Sequence, residues 1–287
     1  MDRSLYELKS KPLLKEPILI TSFQGWIDAG LAASGAMTEL LAQTPTEVLA
    51  TFNTDELLDY RTRRPTMRID DGISDELEWP NIELRWGRHF SGQDVLLLIG
   101  PEPDFRWKGF IETIVDLLRR LDVKLAISLG AFPAPVPHTR NVKLAATAPS
   151  LSAVESIGVL PGTIEVPAGI ESALNERLNA NNITAIGLWA RVPHYVSTMA
   201  FPAASIALLE GITKLSKLPI DLSELKEMSK ETTKKVNSLI ENNDEHNEMI
   251  HQLEISSDSL ETELNISNLP SGDELADELE RFLRGEI

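Results

Sequence analysis

Acid–base and anion-binding chemistry needs His, Asp, Glu or Arg side chains held close together. Four stretches of this sequence group such residues behind apolar runs. Gly25-Trp26-Ile27-Asp28 follows I-L-I-T-S-F. S-L-G-A-F-P-A-P-V-P-H-T-R, residues 128–140, carries Gly130, Phe132, His138 and Arg140, the last two after three prolines that stiffen the chain. L-W-A-R-V-P-H-Y-V, residues 188–196, carries Trp189, Arg191, His194 and Tyr195. N-T-D-E-L-L-D-Y-R-T-R-R-P, residues 53–65, sets Asp55, Glu56 and Asp59 beside Arg61, Arg63 and Arg64. In such a set a His can serve as general base and an Arg as a clamp for an anion.

Each stretch also has a plainer structural use. Neither G-x-G-x-x-G nor G-x-x-x-x-G-K-[ST] occurs, so the first stretch is not a nucleotide fingerprint. The Asp28 carboxylate at a helix start would repel a phosphate and complement the helix dipole itself. A tight corner is therefore favoured there: Gly25 for the turn, Asp28 as cap, and Ala29, Gly30, Ala32, Ala33, Gly35 and Ala36 for close packing. Ser128 lies outside any G-x-S-x-G elbow. Residues 53–65 fit a surface ion-pair cluster better than an anion site. The five His are scattered, no H-E-x-x-H occurs and there is no Cys, so no metal site and no cofactor are expected.

The elements that must position these residues follow from apolar periodicity. Ile18–Phe23, Thr46–Phe52, Val95–Ile99, Lys124–Leu129 and Thr184–Trp189 read as strands, the first and third as buried ones. Helices are expected over 27–42, over 107–121 (Trp107, Phe110, Ile111, Ile114, Val115, Leu118 and Leu121 share one face), over 169–180 and over 197–215. Strands alternating with helices imply an α/β fold, a mainly parallel sheet with helices on both faces. Asp71-Gly72 and Pro80-Asn81 punctuate short alternating runs, so residues 66–90 are expected as a β-hairpin insertion. In such a sheet, ligands gather beyond the carboxyl ends of the strands, where the four stretches would lie.

After Pro219 the pattern becomes helical, and 18 acidic residues stand against 6 basic ones. The expected division is thus a core over 1–218 and an acidic helical extension, a lid or cap, over 219–287. Leu222, Val236 and Ile250 share one heptad position, and Leu225, Leu239 and Leu253 the other. A polar linker is expected from Ser256, then a final helix opened by the Ser271/Glu274 capping box. The net charge of -17 disfavours nucleic acid and anionic membrane surfaces as partners. No apolar stretch reaches the ~18 residues of a spanning helix, and the start lacks the apolar region of a secretory signal, so a cytoplasmic protein is expected.

F-Q-G-W-I-D-A-G-L-A-A-S-G-A, D-E-L-L-D-Y-R-T-R-R-P, A-R-V-P-H-Y-V and L-P-S-G-D-E-L-A-D-E-L-E-R-F-L together resemble the proteasome assembly chaperone superfamily, in its bacterial branch with a helical C-terminal extension. The resemblance implies a core similar to nucleoside phosphorylases and peptidyl-tRNA hydrolases, and assembly into rings or trimers. It also implies a protein partner, which relatives commonly engage through a tail of a hydrophobic residue followed by Tyr; this sequence ends R-F-L-R-G-E-I, without that Tyr.

Two functions compete. The first is a non-catalytic binding or assembly scaffold, a homo-oligomer with a trimer favoured, in which the hairpin serves subunit contact. The second is a small-molecule enzyme of hydrolase or phosphorylase type. Gly25, Trp26, Asp28, Gly130, Phe132, His138, Arg140, Trp189, Arg191, His194 and Tyr195 would then line a ligand pocket beneath the helical lid. The enzyme reading requires these side chains to converge, with His and Asp in hydrogen-bond reach. The scaffold is preferred.

Overall fold

The computed structural model describes residues 5–25, 28–150, 154, 157–159, 163–241 and 244–265. In chain order, β1 (Tyr6–Leu8), β2 (Ile18–Gln24), a 3-10 turn (Ala29–Leu31), α1 (Ala32–Gln43), β3 (Thr46–Phe52) and the short α2 (Thr54–Leu57) come first. The hairpin strands β4 (Thr66–Asp70) and β5 (Ile73–Glu78) follow, then β6 (Glu83–Arg88), β7 (Asp94–Pro101), α3 (Trp107–Arg120), β8 (Leu125–Ala134) and β9 (Leu144–Thr147). The chain continues through α4 (Ile170–Ala180), β10 (Thr184–Pro193), α5 (Pro202–Ser216), α6 (Ser223–Ile240) and α7 (Asp244–Asn265). It divides into two compact units, Met1–Val236 and Asn237–Ile287.

Eight strands form one sheet in the order β1-β3-β6-β7-β2-β8-β10-β9. Its centre, β7, β2, β8 and β10, is parallel, and the strands at each side are antiparallel. The parallel strands are buried on both faces, which is why Ile18–Phe23 and Val95–Leu98 are nearly unbroken apolar runs. On one face α3 and α4 pack over Leu19, Phe23, Leu96, Leu98 and Ala185. Phe110 sits at the centre of that layer, fully buried, edge-on to Phe52 at 5.0 Å and to Phe23 at 6.0 Å. Burying a side chain of that size contributes about 1.5–3 kcal/mol. On the other face α1 packs on α5, and Gly35 makes the approach possible: a Cβ there would stand 2.6 Å from Ser205 Oγ, which donates to the Ala32 carbonyl at 2.9 Å.

Several boundaries differ from the sequence reading. β6 joins the main sheet between β3 and β7 as an antiparallel strand; only β4 and β5 stand apart as the hairpin. Asp71 and Gly72 turn that hairpin with positive φ at both residues, 46° and 84°, as a two-residue turn between antiparallel strands requires. β8 and β10 extend past Leu129 and Trp189, pairing in parallel for ten residues from Leu125/Thr184 to Ala134/Pro193. Gly130, Phe132, Trp189 and Arg191 are therefore strand residues rather than loop residues. α1 starts at Ala32, after a turn in which Leu31 has a left-handed φ of 50°. α5 starts at Pro202, whose missing N–H is tolerated at the first helical position. α7 runs through the expected linker at Ser256 to Asn265. The expected helix after Ser271 lies outside the described residues.

Candidate functional site

The carboxyl ends of β2, β7, β8 and β10 form the rim where a ligand site is expected. Three groups of side chains stand there. The first is acidic. Glu102, just after β7, accepts the Ile170 amide that opens α4 at 2.8 Å, and its side chain lies 3.4 Å from where a Cβ on Gly25 would be. One residue into α4, Glu171 is buried and accepts from Thr21 Oγ1 of β2 at 3.1 Å. Burial pushes the Glu171 carboxyl well above the usual carboxylate range. Bonds from Thr21 and the Phe23 amide pull the other way, and Glu102 and Asp28 add like-charge repulsion. One helical turn further on, Asn175 donates to buried Ser128 of β8 at 2.6 Å. Thr21 and Ser128 are register partners, so two polar residues inside apolar strands meet two polar residues at i and i+4 of α4.

Asp28 is bound to its own helix. Its carboxylate accepts the Ala33 amide at 2.7 Å, the Ser34 amide at 3.3 Å and the Ser34 hydroxyl. The corner reading of this stretch thus describes the geometry, with the cap set before the 3-10 turn. Gly30, with a φ of 66°, lies against Val192 and Phe201, so the turn nests on β10. Trp26 lies outside the described residues.

The second group stands on the α4 side of β8 and β10. Side chains alternate across a strand, so Gly130, Phe132, Gly187, Trp189 and Arg191 share this face. The Trp189 indole covers Gly130 and Gly187, and its Nε1 donates to Thr147 Oγ1 at 3.1 Å. Phe132 and Arg191 are register partners, both half-buried.

The third group follows the ends of the same two strands. Tyr195 OH lies 2.8 Å from both the amide and the Nδ1 of His138, and the two rings meet edge-on at 5.8 Å. His138 is buried, whereas His194 and Arg140 are exposed. His138 and Tyr195 are thus brought together, and Trp189, Phe132 and Arg191 are brought together. Among the described residues, Asp28 bonds to Ala33 and Ser34, and His138 to Tyr195, rather than to each other.

Elsewhere, the 53–65 stretch is an ion-pair cluster: Arg63 pairs with Asp104, and Arg106 with Glu56 at 2.9 Å. Among the described residues no group of three His, Asp or Glu could hold a metal, and no helix is long and apolar enough to cross a membrane. Sequence reasoning missed Glu102, Glu171 and Asn175. The available signal was Thr21 and Ser128, polar residues inside apolar strand runs that needed partners.

A mixed sheet with helices on both faces and polar groups gathered at its strand ends defines a layered α/β protein. The chain belongs to the PAC2 family, whose model matches residues 22–240. A Mycobacterium tuberculosis protein of unknown function is 32% identical with a TM-score of 0.84, covering 91% of this chain and 93% of that one. A Mycobacterium tuberculosis proteasome-assembly chaperone homologue is 30% identical with a TM-score of 0.76, covering 81% of this chain and 99% of that one. A PAC2 family protein from Streptomyces avermitilis is 31% identical with a TM-score of 0.72, covering 82% and 99%. No curated protein matches the chain.

Proposed function

We propose that this protein is a non-catalytic assembly scaffold of the cytoplasm that self-associates, as a trimer, and binds a protein partner. The observation that carries this reading is the β4–β5 hairpin, which stands apart from the main sheet yet presents apolar side chains to solvent. Ile69 is 65% exposed, Ile73 74% and Met67 49%, with Leu77 beside Met67 in register. A two-stranded hairpin is marginal in water by itself and leaves unpaired backbone groups along both edges. A second chain would bury those side chains and pair those edges. Likeness to a proteasome-assembly chaperone homologue, 30% identical, supports a role in protein assembly.

The test is the mass of the full chain in solution by light scattering. The expected result is a trimer for the native sequence and a monomer with an unchanged circular dichroism spectrum for the Ile69→Asp/Ile73→Asp variant. A monomeric native chain, or a variant that keeps the native mass, overturns the reading.

A further inference from the structure

Among the described residues, Arg191 is a half-buried arginine with no ion pair. Its backbone is held in the sheet, the amide donating to the Lys143 carbonyl at 3.2 Å. Its side chain is half-buried, and its Nε is sealed from solvent without a hydrogen-bond partner. Burial lowers the guanidinium pKa from its usual value, and among the described residues no ion pair offsets it. Arg63 and Arg106, elsewhere on the strand-end rim, pair with acids. Among the described residues, the other buried polar side-chain atoms without partners are Thr44 Oγ1, Trp86 Nε1 and His89 Nε2, none on a permanently charged group. A buried guanidinium N–H without an acceptor costs stability, and native structures keep such groups where something else completes them.

The surroundings indicate what would complete it. Arg191 shares a sheet face with its register partner Phe132 and with Trp189, two residues earlier. The Trp189 ring is fixed in place: Gly130 and Gly187 leave room for it to lie down, and Thr147 holds its Nε1. All three side chains are half-buried, so each keeps an accessible part. A guanidinium presents a planar fork of N–H donors that matches a carboxylate or phosphate, and aromatic faces accept flat apolar groups. The chain as a whole carries -17, so an uncompensated cation here is not part of a general basic surface.

We propose that the face of β8 and β10 carrying Trp189, Phe132 and Arg191 is a binding site for an organic oxyanion, a carboxylate or phosphate joined to a flat apolar body, with Arg191 as its counter-ion. The site is independent of the scaffold reading, because it lies on the main sheet and not on the hairpin. Binding requires no chemistry at the ligand.

Calorimetric titration of the full chain tests the site with four probes: benzoate, phenyl phosphate, inorganic phosphate and benzamide. The expected result is saturable binding of benzoate or phenyl phosphate, whichever anion the fork prefers, and weaker binding of inorganic phosphate and benzamide. Arg191→Gln weakens the preferred probe about tenfold or more, since a charge-assisted bond is lost. Arg191→Lys, which keeps the charge without the fork and serves as the folding control, recovers part of it. Lys124→Gln, a charge-matched change at the opposite end of β8, leaves affinity unchanged. Absence of saturable binding by either aromatic anion overturns the proposal. So does equal affinity in Arg191→Gln, or an equal loss in Lys124→Gln.

Discussion

The Trp189 indole lies so close over Gly130 that a Cβ on that glycine would stand 2.3 and 2.4 Å from two ring carbons. The two residues are register partners across β8 and β10, so the contact is set by strand pairing and not by a loop that could yield. Gly130→Ala must therefore displace the indole and break its bond to Thr147. Overpacking of this kind costs about 1–3 kcal/mol. The expected outcome is a lower denaturant midpoint with an unchanged slope, together with altered tryptophan emission. Native stability in this variant would show that the indole has room to move.

How far such relationships were legible in the sequence depended on whether a residue's neighbours decide its role. Val95–Leu98 and the Phe110–Leu118 stripe are apolar in patterns that permit one reading each, and β7 and α3 fall where expected. The sequence assigns β6 to the hairpin, because E-L-R-W-G-R alternates in the same way whichever strand it pairs with. The sequence ends β8 before Gly130, because a glycine followed by prolines looks like an exit from a sheet, and ends β10 at Trp189. Here the glycine is present to admit the indole of the partner strand. Glu171 resembled a surface residue of an ordinary amphipathic helix, and only the register of α4 over Thr21 reveals that it is buried. Arg191 is visible as a candidate, but only three dimensions show its Nε buried without an acceptor among the described residues.

The buried Glu171 makes stability depend on pH with a defined sign. Its folded-state pKa is raised, chiefly by burial, so the folded chain holds this proton to a higher pH than the unfolded chain does. Between the unfolded value, about 4.3, and the folded one, the unfolded state binds fewer protons, and stability falls as pH rises. Below that window the penalty is absent. Glu171→Gln removes the titration while keeping the shape, so its melting temperature relative to the native chain should rise as pH increases above the unfolded value. A difference constant across that range would mean that Glu171 does not titrate abnormally.

Tyr195 joins the segments that leave β8 and β10, its hydroxyl 2.8 Å from both the amide and the Nδ1 of His138. His138 is buried, so removing the hydroxyl strands polar groups that water reaches poorly. Tyr195→Phe should lose about 1–3 kcal/mol of stability by chemical denaturation. Tyr60→Phe serves as a contrast, because that hydroxyl bonds to Thr54 and Asp55 near the surface and should cost less. Equal losses in the two variants would remove the distinction between a structural bridge and a surface contact.

Asp28 separates a structural from a chemical use of the first glycine-rich corner. Its carboxylate satisfies two amides and one hydroxyl in the first turn of α1, groups that have no partner within the helix. Loss of a cap typically costs about 0.5–2 kcal/mol. Asp28→Ala should lie in that range by thermal or chemical denaturation, and Asp28→Asn should lose less, since one oxygen still accepts. Self-association should survive both changes once the protein is folded, because the hairpin residues proposed to carry it lie on β4 and β5. If Asp28→Ala retained native stability but abolished binding of benzoate and phenyl phosphate, the carboxylate would belong to a ligand site and the capping account would fail.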